Sequence, residues 1–445
     1  MDAEQLKRLA ARLRDELSGH GVAIAHGQAL DLVAALPGLR NWPEVLAFSD
    51  RLAGLDDDLA AMARLARRVT TRLGPRLPES AARLTTADGL MDTLSPWQLT
   101  EPRDSSRRER MIIAGGDSSA GAIRCAGIAD RVEKISDRLV WGPVPLDADD
   151  PVTFHARRLA AWDAAPGTSD QPPAWEREDV VDQPVHPREW SAHLPVIAEY
   201  ARIELWMDDD ANGQLQLIRL LDGFGRQPGL AGRLGVAQVE RRLGDTRPFE
   251  LRASPPRVAL ATERQIALAT RAWNAFRQPT PQDWCALLAQ DLDPLPALRR
   301  AVLAMLAELP AVDTGLRASE RRLLELASEE GATPMRVMAR MARSREPGVF
   351  GHWEFVRLLN DLGRGPRPVI DGIDDGPFEL ALHHDASRRQ ACMRSPLAVS
   401  AFGQALLRGE DDLMRHSRGH FWWGGTLVSH DRPWRWDATN QVLSR

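Results

Sequence analysis

MIIAGGDSSAGAIRCAGIADRV (Met111–Val132) is the stretch on which the reading of this chain turns. Met111–Ala114 is a short apolar run that stops at Gly115-Gly116, and from Asp117 onward the apolar residues recur at helical spacing. A change of period across a pair of glycines predicts a strand, a loop and a helix in that order. A second unit of the same kind lies downstream. ARIELW (201–206) reads as a strand, MDDDANG (207–213) as a loop and QLQLIRLLDGFG (214–225) as a helix, and a further short strand is expected at Val132–Ser136. Repetition of this order predicts a Rossmann-like parallel sheet over residues 110–260.

Outward from this α/β segment the chain is helical on both sides. Leu6, Leu9, Leu13 and Leu17 fall on one helical face, and a second pattern runs through Ala29, Leu32, Val33 and Leu36. We therefore expect an N-terminal helical domain over 1–73. Residues 74–109, rich in Pro, Ser, Thr and Arg, read as a linker. A helical connector is expected over 261–315, with Trp273, Phe276 and Trp284 in its core. Residues 316–445 predict three short helices, a hairpin over Pro368–Leu382 and an aromatic hairpin carrying Trp422, Trp423, Trp434 and Trp436, a winged-helix-like domain. The expected fold class is thus α/β plus all-α.

Composition narrows the function classes. In 445 residues, 43% are hydrophobic and 27% charged, which is globular rather than disordered, and too long for a single core. No apolar run reaches the roughly 18 residues that span a bilayer. The charged N terminus lacks a signal peptide's apolar stretch, so a cytoplasmic protein without membrane association is expected. A formal charge of −5 gives no general attraction to nucleic acid. Cys125, Cys285 and Cys392 have no ligand spacing and read as small buried side chains. Lys7 and Lys134 are the only lysines among 57 basic residues.

GGDSSAG (115–121), DRLVWGPVP (137–145), ELWMDDDANGQLQLIRLLD (204–222), RAWNAF (271–276) and the closing WGGT…WRWD (423–437) together resemble the bacterial domain-of-unknown-function 1835 family, over roughly residues 110–445. The resemblance implies an architecture and no activity. In place of the mixed aromatic, acidic and histidine residues usual in relatives after the second strand, this chain has Asp208-Asp209-Asp210. HGQALDLVAALPGLRNWPEVLAF (26–48) is similar to a small helical domain of proteins labelled as glyoxalase superfamily, although that family's metal ligands have no counterpart here.

The strongest candidate site is the loop Gly115, Gly116, Asp117, Ser118, Ser119, Gly121. A strand that ends in glycines and opens a helix gathers unpaired N–H groups at the positive end of the helix dipole, which suits a phosphate or a carboxylate. The same residues also suit a plain capped turn. Asp208, Asp209 and Asp210, at the carboxyl end of a parallel strand, could hold magnesium through oxygen ligands or simply cap the next helix. On the first reading Ser118, Ser119 and the glycines bind a nucleotide or phosphorylated metabolite, Asp208 and Asp210 hold the metal, and Asp117, Asp137 and Asp209 supply acid–base chemistry for a transferase or hydrolase. On the second, the protein is a non-catalytic regulatory or interaction protein, a homodimer or a binder of another protein. Its winged helix could then meet DNA through Arg336, Arg340 and Arg343, a weaker expectation because the third helix shows Glu354 and Asp361. His383-His384-Asp385 and the His416, His420 pair lack the further ligands of a zinc site.

Overall fold

A computed structural model describes residues 3–48, 52, 59–94, 108–135, 137–146, 151–165, 196–227, 229–239, 242–342, 348–373, 385–416 and 419–445. The chain is mixed α/β and divides into two compact units. One comprises residues 1–136, 200–206 and 235–259; the other comprises 137–199, 207–234 and 260–445.

The first unit opens with helices at Ala3–Gly19, His26–Val33, Trp42–Ala47 and Leu59–Leu73. Leu6, Leu9, Leu13 and Leu17 are fully buried, as one apolar stripe must be when it packs on neighbouring helices. Asn41 caps the third helix by accepting from Glu44 N at 3.1 Å. Residues 74–94, within the stretch read as a partly ordered linker, carry regular structure. They form 3-10 turns at Gly74–Arg76 and Glu79–Thr85 and a helix at Ala87–Leu94. The reason is apolar: Ala81, Leu84, Leu90 and Leu94 are buried in the same core.

The sheet has five strands: β1 (Arg110–Gly115), β2 (Arg131–Ile135), β3 (Arg202–Trp206), β4 (Leu234–Gln238) and β5 (Arg257–Leu260), in the order β2-β1-β3-β4-β5. β1 pairs in parallel with β2 and with β3, so Ala114 stands between Lys134 and Trp206. Met111, Ile112, Ile113 and Ala114 are all buried, as befits a central strand covered on both faces. Ala261 N donates to Leu234 O at 2.8 Å, which sets the end of β5 beside the start of β4 and makes that edge strand antiparallel. At the opening of β1, Arg110 crosses to β3 and grips Glu204 with two hydrogen bonds of 2.9 and 2.7 Å. Glu204 also accepts from Trp206 Nε1 at 3.0 Å, so a carboxylate only 1% exposed is fully partnered.

In the second unit the helices Ala211–Gly225, Glu263–Phe276 and Leu298–Ala307 carry buried faces. Helices at Ala318–Ala327, Pro334–Ala342 and His352–Arg364 follow. Part of the hairpin expected over Pro368–Leu382, including Asp375-Gly376, lies outside the described residues. Its described strand, β6 (Ile370–Asp371), pairs antiparallel with β7 (Ala398–Val399). The C-terminal aromatic segment makes two hairpins where one was expected: β8 (His420–Trp423) with β9 (Thr426–Ser429), and β10 (Arg435–Asp437) with β11 (Val442–Ser444). Trp423 packs on Phe276 and Trp284, with ring centroids 5.4 and 6.4 Å away, and donates its indole N–H to Met305 O at 2.7 Å. Trp423 and Trp436 are buried and close a core. Among the described residues no helix is long and apolar enough to cross a membrane.

Candidate functional site

The β1 turn is the expected strand–loop–helix unit. Gly115 occupies the N-cap position of the helix Gly116–Ala126 and so offers no side-chain cap. Gly116 takes φ +77°, a left-handed conformation that glycine adopts without strain, and a Cβ placed there would meet open space. Asp117 and Ser118 are exposed, whereas Ser119 and Gly121 are buried. Gly244 stands so close that a Cβ there would lie 2.9 Å from Ser118 Cβ, which closes one flank of the turn.

The sequence reading missed a cation here. Lys134, on β2, extends its ammonium to Asp117 Oδ1 at 2.5 Å. No lysine stands in the glycine turn or in the helix it opens, yet the parallel register sets Lys134 opposite Ala114, two residues before Gly116. Asp117 thus meets Lys134 instead of capping the helix.

The remaining aspartates belong to the second unit and each has a partner there. Asp137 Oδ2 accepts from Arg219 at 2.7 Å. Burial lowers the Arg219 pKa, and the facing Asp137 charge opposes that shift. The Asp137 carbonyl accepts from Gln216 at 2.9 Å and from Asn212 at 3.2 Å. Asn212 Oδ1 in turn accepts from Leu139 N at 2.8 Å, so these amides fix the 137–140 backbone. Asp210 caps the helix Ala211–Gly225 by accepting from Gly213 N at 2.8 Å. Asp209 is ion-paired with Arg300. Asp208 presents its carbonyl to Gln214 Nε2 at 3.0 Å, and Gly213 packs against that carbonyl too closely for any Cβ. Among the described residues, no group of three or more His, Cys, Asp or Glu side chains is placed to hold a metal ion.

The basic residues of the second reading are engaged locally. Arg336 donates to Gly331 O and Arg340 pairs with Glu329. Arg343 lies outside the described residues, as do His383 and His384; His416 pairs with Asp411.

A second polar cluster, unforeseen from the sequence, is buried in the second unit. Arg317 donates twice to Glu320, and Glu320 accepts in turn from Arg317 N, an arrangement whose only trace in sequence is the i, i+3 spacing at a helix start. Glu308 accepts from Ser319 N and Oγ through Oε1, while its Oε2 has no hydrogen-bond partner. Burial raises both Glu308 and Asp361 to a pKa of about 7, against the opposing pull of Arg317.

Residues 1–71 match a family model described as glyoxalase superfamily protein, in line with the resemblance noted for the helical N terminus. No curated protein matches the chain.

Proposed function

We propose that the β1 turn binds the phosphate of a small phosphorylated metabolite or nucleotide, in an enzyme of transferase or hydrolase type. The observation that carries this reading is the Lys134 ammonium beside the first turn of the Gly116–Ala126 helix. Free N–H groups and a helix dipole attract an anion, and a lysine adds the full positive charge that the glycine loop alone lacks. In this scheme Lys134 exchanges its contact with Asp117 for one with the phosphate. Gly116 leaves the approach open, and Ser118 stands on the exposed side of the turn. Asp117 is the group assigned to proton transfer. Its side chain, 76% exposed, gives up its Lys134 partner in this scheme, whereas Asp209 and Asp137, 35% and 23% exposed, stay paired with Arg300 and Arg219.

Strand order supports the same reading. The order β2-β1-β3-β4-β5 is one of the doubly wound orders, with its reversal between β1 and β3, and ligands of Rossmann-like sheets bind beyond the carboxyl ends of such strands. The motifs that resemble the domain-of-unknown-function 1835 family begin at this turn. We read the helices between Ala318 and Arg364, with β6 and β7, as a winged-helix-like module used for packing, since Arg336 and Arg340 are engaged within it.

Thermal unfolding with inorganic phosphate, a sugar phosphate and a nucleoside triphosphate tests the proposal. A ligand at a hundred times its Kd stabilises a protein by about 2.7 kcal/mol. The wild type should be stabilised by at least one of these compounds, and Lys134→Met should lose that stabilisation. Equal shifts in wild type and variant, or none in the wild type, overturn the reading.

A further inference from the structure

Three carboxyl groups meet at one junction of the second unit. Glu308 follows the Leu298–Ala307 helix, Glu320 stands in the first turn of the Ala318–Ala327 helix, and Asp361 lies in the last turn of the His352–Arg364 helix. Glu308 and Glu320 are buried, and Asp361 is half-buried with its Oδ2 closed to solvent. Arg317, at the N-cap of the Ala318–Ala327 helix, is the cation whose charge acts on all three. It donates to Glu320 at 2.9 and 2.5 Å and lies over the ring of Phe421, 4.5 Å from the centroid.

One guanidinium does not offset three enclosed carboxylates. Glu320 takes its hydrogen bonds, which leaves Glu308 and Asp361 as the groups that hold a proton. Burial pushes both up to about 7, from 4.5 and 3.8, against the pull of Arg317 and, for Asp361, of Arg357 on its own helix; the Glu320 charge adds to the rise. Glu308 still accepts from Ser319 N and Oγ, at 3.2 and 2.5 Å. The other charges around the junction are engaged with one another: Arg367 and His416 with Asp411, and Arg435 with Asp412. Beside the junction lies a pocket of about 100 Å³, room for several water molecules, whose wall includes Arg317, Glu320, Asp361 and Met414. A small parting of the helix ends would let water from this space reach the carboxyl groups, and hydration is what their ionised forms require.

We propose that this junction is a pH-controlled latch: it stays shut while Glu308 and Asp361 carry protons, and their ionisation parts the start of the Ala318–Ala327 helix from the end of the His352–Arg364 helix and opens the pocket to solvent. The shut form holds protons that the hydrated form releases at ordinary carboxylate values. Its advantage is therefore full below those values and is lost as pH rises through about 7. The latch lies in the second unit and shares no residue with the phosphate proposal.

Amide hydrogen exchange of the full chain at about pH 5 and about pH 7.5, corrected for the intrinsic pH dependence of exchange, tests the latch. The opening constant of peptides covering 308–322 and 355–364 should rise at least about tenfold at the higher pH, because each group contributes about tenfold per pH unit between its two pKa values. The helices Ala211–Gly225 and Glu263–Phe276, in the same unit, should keep their protection at both pH values. Glu308→Gln combined with Asp361→Asn leaves neither side chain to titrate and should abolish the local rise. Each single substitution should reduce it, which serves should the double variant fail to fold. No local rise in the wild type, an equal rise throughout the unit, or an undiminished rise in a folded variant would each overturn the proposal.

Discussion

Lys134 Nζ lies 2.5 Å from Asp117 Oδ1, although seventeen residues separate the two in sequence. The pairing of β2 with β1 creates this neighbourhood, and it sets the only lysine beyond Lys7 at the helix start that follows the glycines. The pair is solvent-facing, with Asp117 76% exposed, so its own contribution to stability is small. Lys134→Met should change the free energy of unfolding by no more than about 1 kcal/mol in a denaturant titration. A much larger loss would show that Lys134 is structural and would undercut its proposed role towards phosphate.

Asn212 makes a different kind of contact. Its side chain is buried, accepts from Leu139 N and Val140 N and donates to Asp137 O, so it replaces the secondary structure that this segment lacks. Asn212→Leu leaves those backbone groups buried without partners. We expect a cost of about 2–4 kcal/mol, measured by urea unfolding. A loss below about 1 kcal/mol would mean that water reaches the 137–140 backbone.

Gly142 has φ +76°, and a Cβ at that position would lie 1.9 Å from Cζ2 of Trp162. Both facts act in one direction: the backbone disfavours a side chain, and the indole, itself only 1% exposed, has nowhere to retreat. Gly142→Ala should destabilise by about 3 kcal/mol or more. Trp162 fluorescence offers a second readout, since the ring must shift if the variant folds.

Glu308 links stability to pH. Burial lifts its pKa from 4.5 to about 7, so the folded state holds a proton that the unfolded chain releases. The contribution is full below the unfolded pKa and is lost as pH rises through about 7. A shift of this size corresponds to about 3 kcal/mol between acid and alkaline limits. Glu308→Gln keeps an oxygen for the Ser319 hydrogen bonds and does not titrate. Unfolding free energies of wild type and variant should therefore diverge between about pH 4.5 and pH 7, with the variant the more stable at the alkaline end. Parallel profiles would show that Glu308 is ionised in the folded protein.

The sequence by itself determined the elements whose signal is local. The apolar run Met111–Ala114 ending in two glycines is β1 and its turn, and ARIELW is β3 preceded by Ala201. Leu6, Leu9, Leu13 and Leu17 bury as one stripe, and Trp423 and Trp436 close a core. These signals hold because strand and helix periods are written within about ten residues, and burial follows the period. Only the tertiary structure decided which charge meets which. Asp209 became the partner of Arg300, and Asp137 that of Arg219. The Asp361 pocket draws on the 317–320 segment, the end of the His352–Arg364 helix and Met414, positions with no common motif. The two units are themselves discontinuous: residues 200–206 and 235–259 belong to the first unit, although stretches of the second precede each of them. Partners of this kind depend on strand register and helix packing, both set by contacts between residues far apart in the chain. A short window of sequence holds only one side of each such contact.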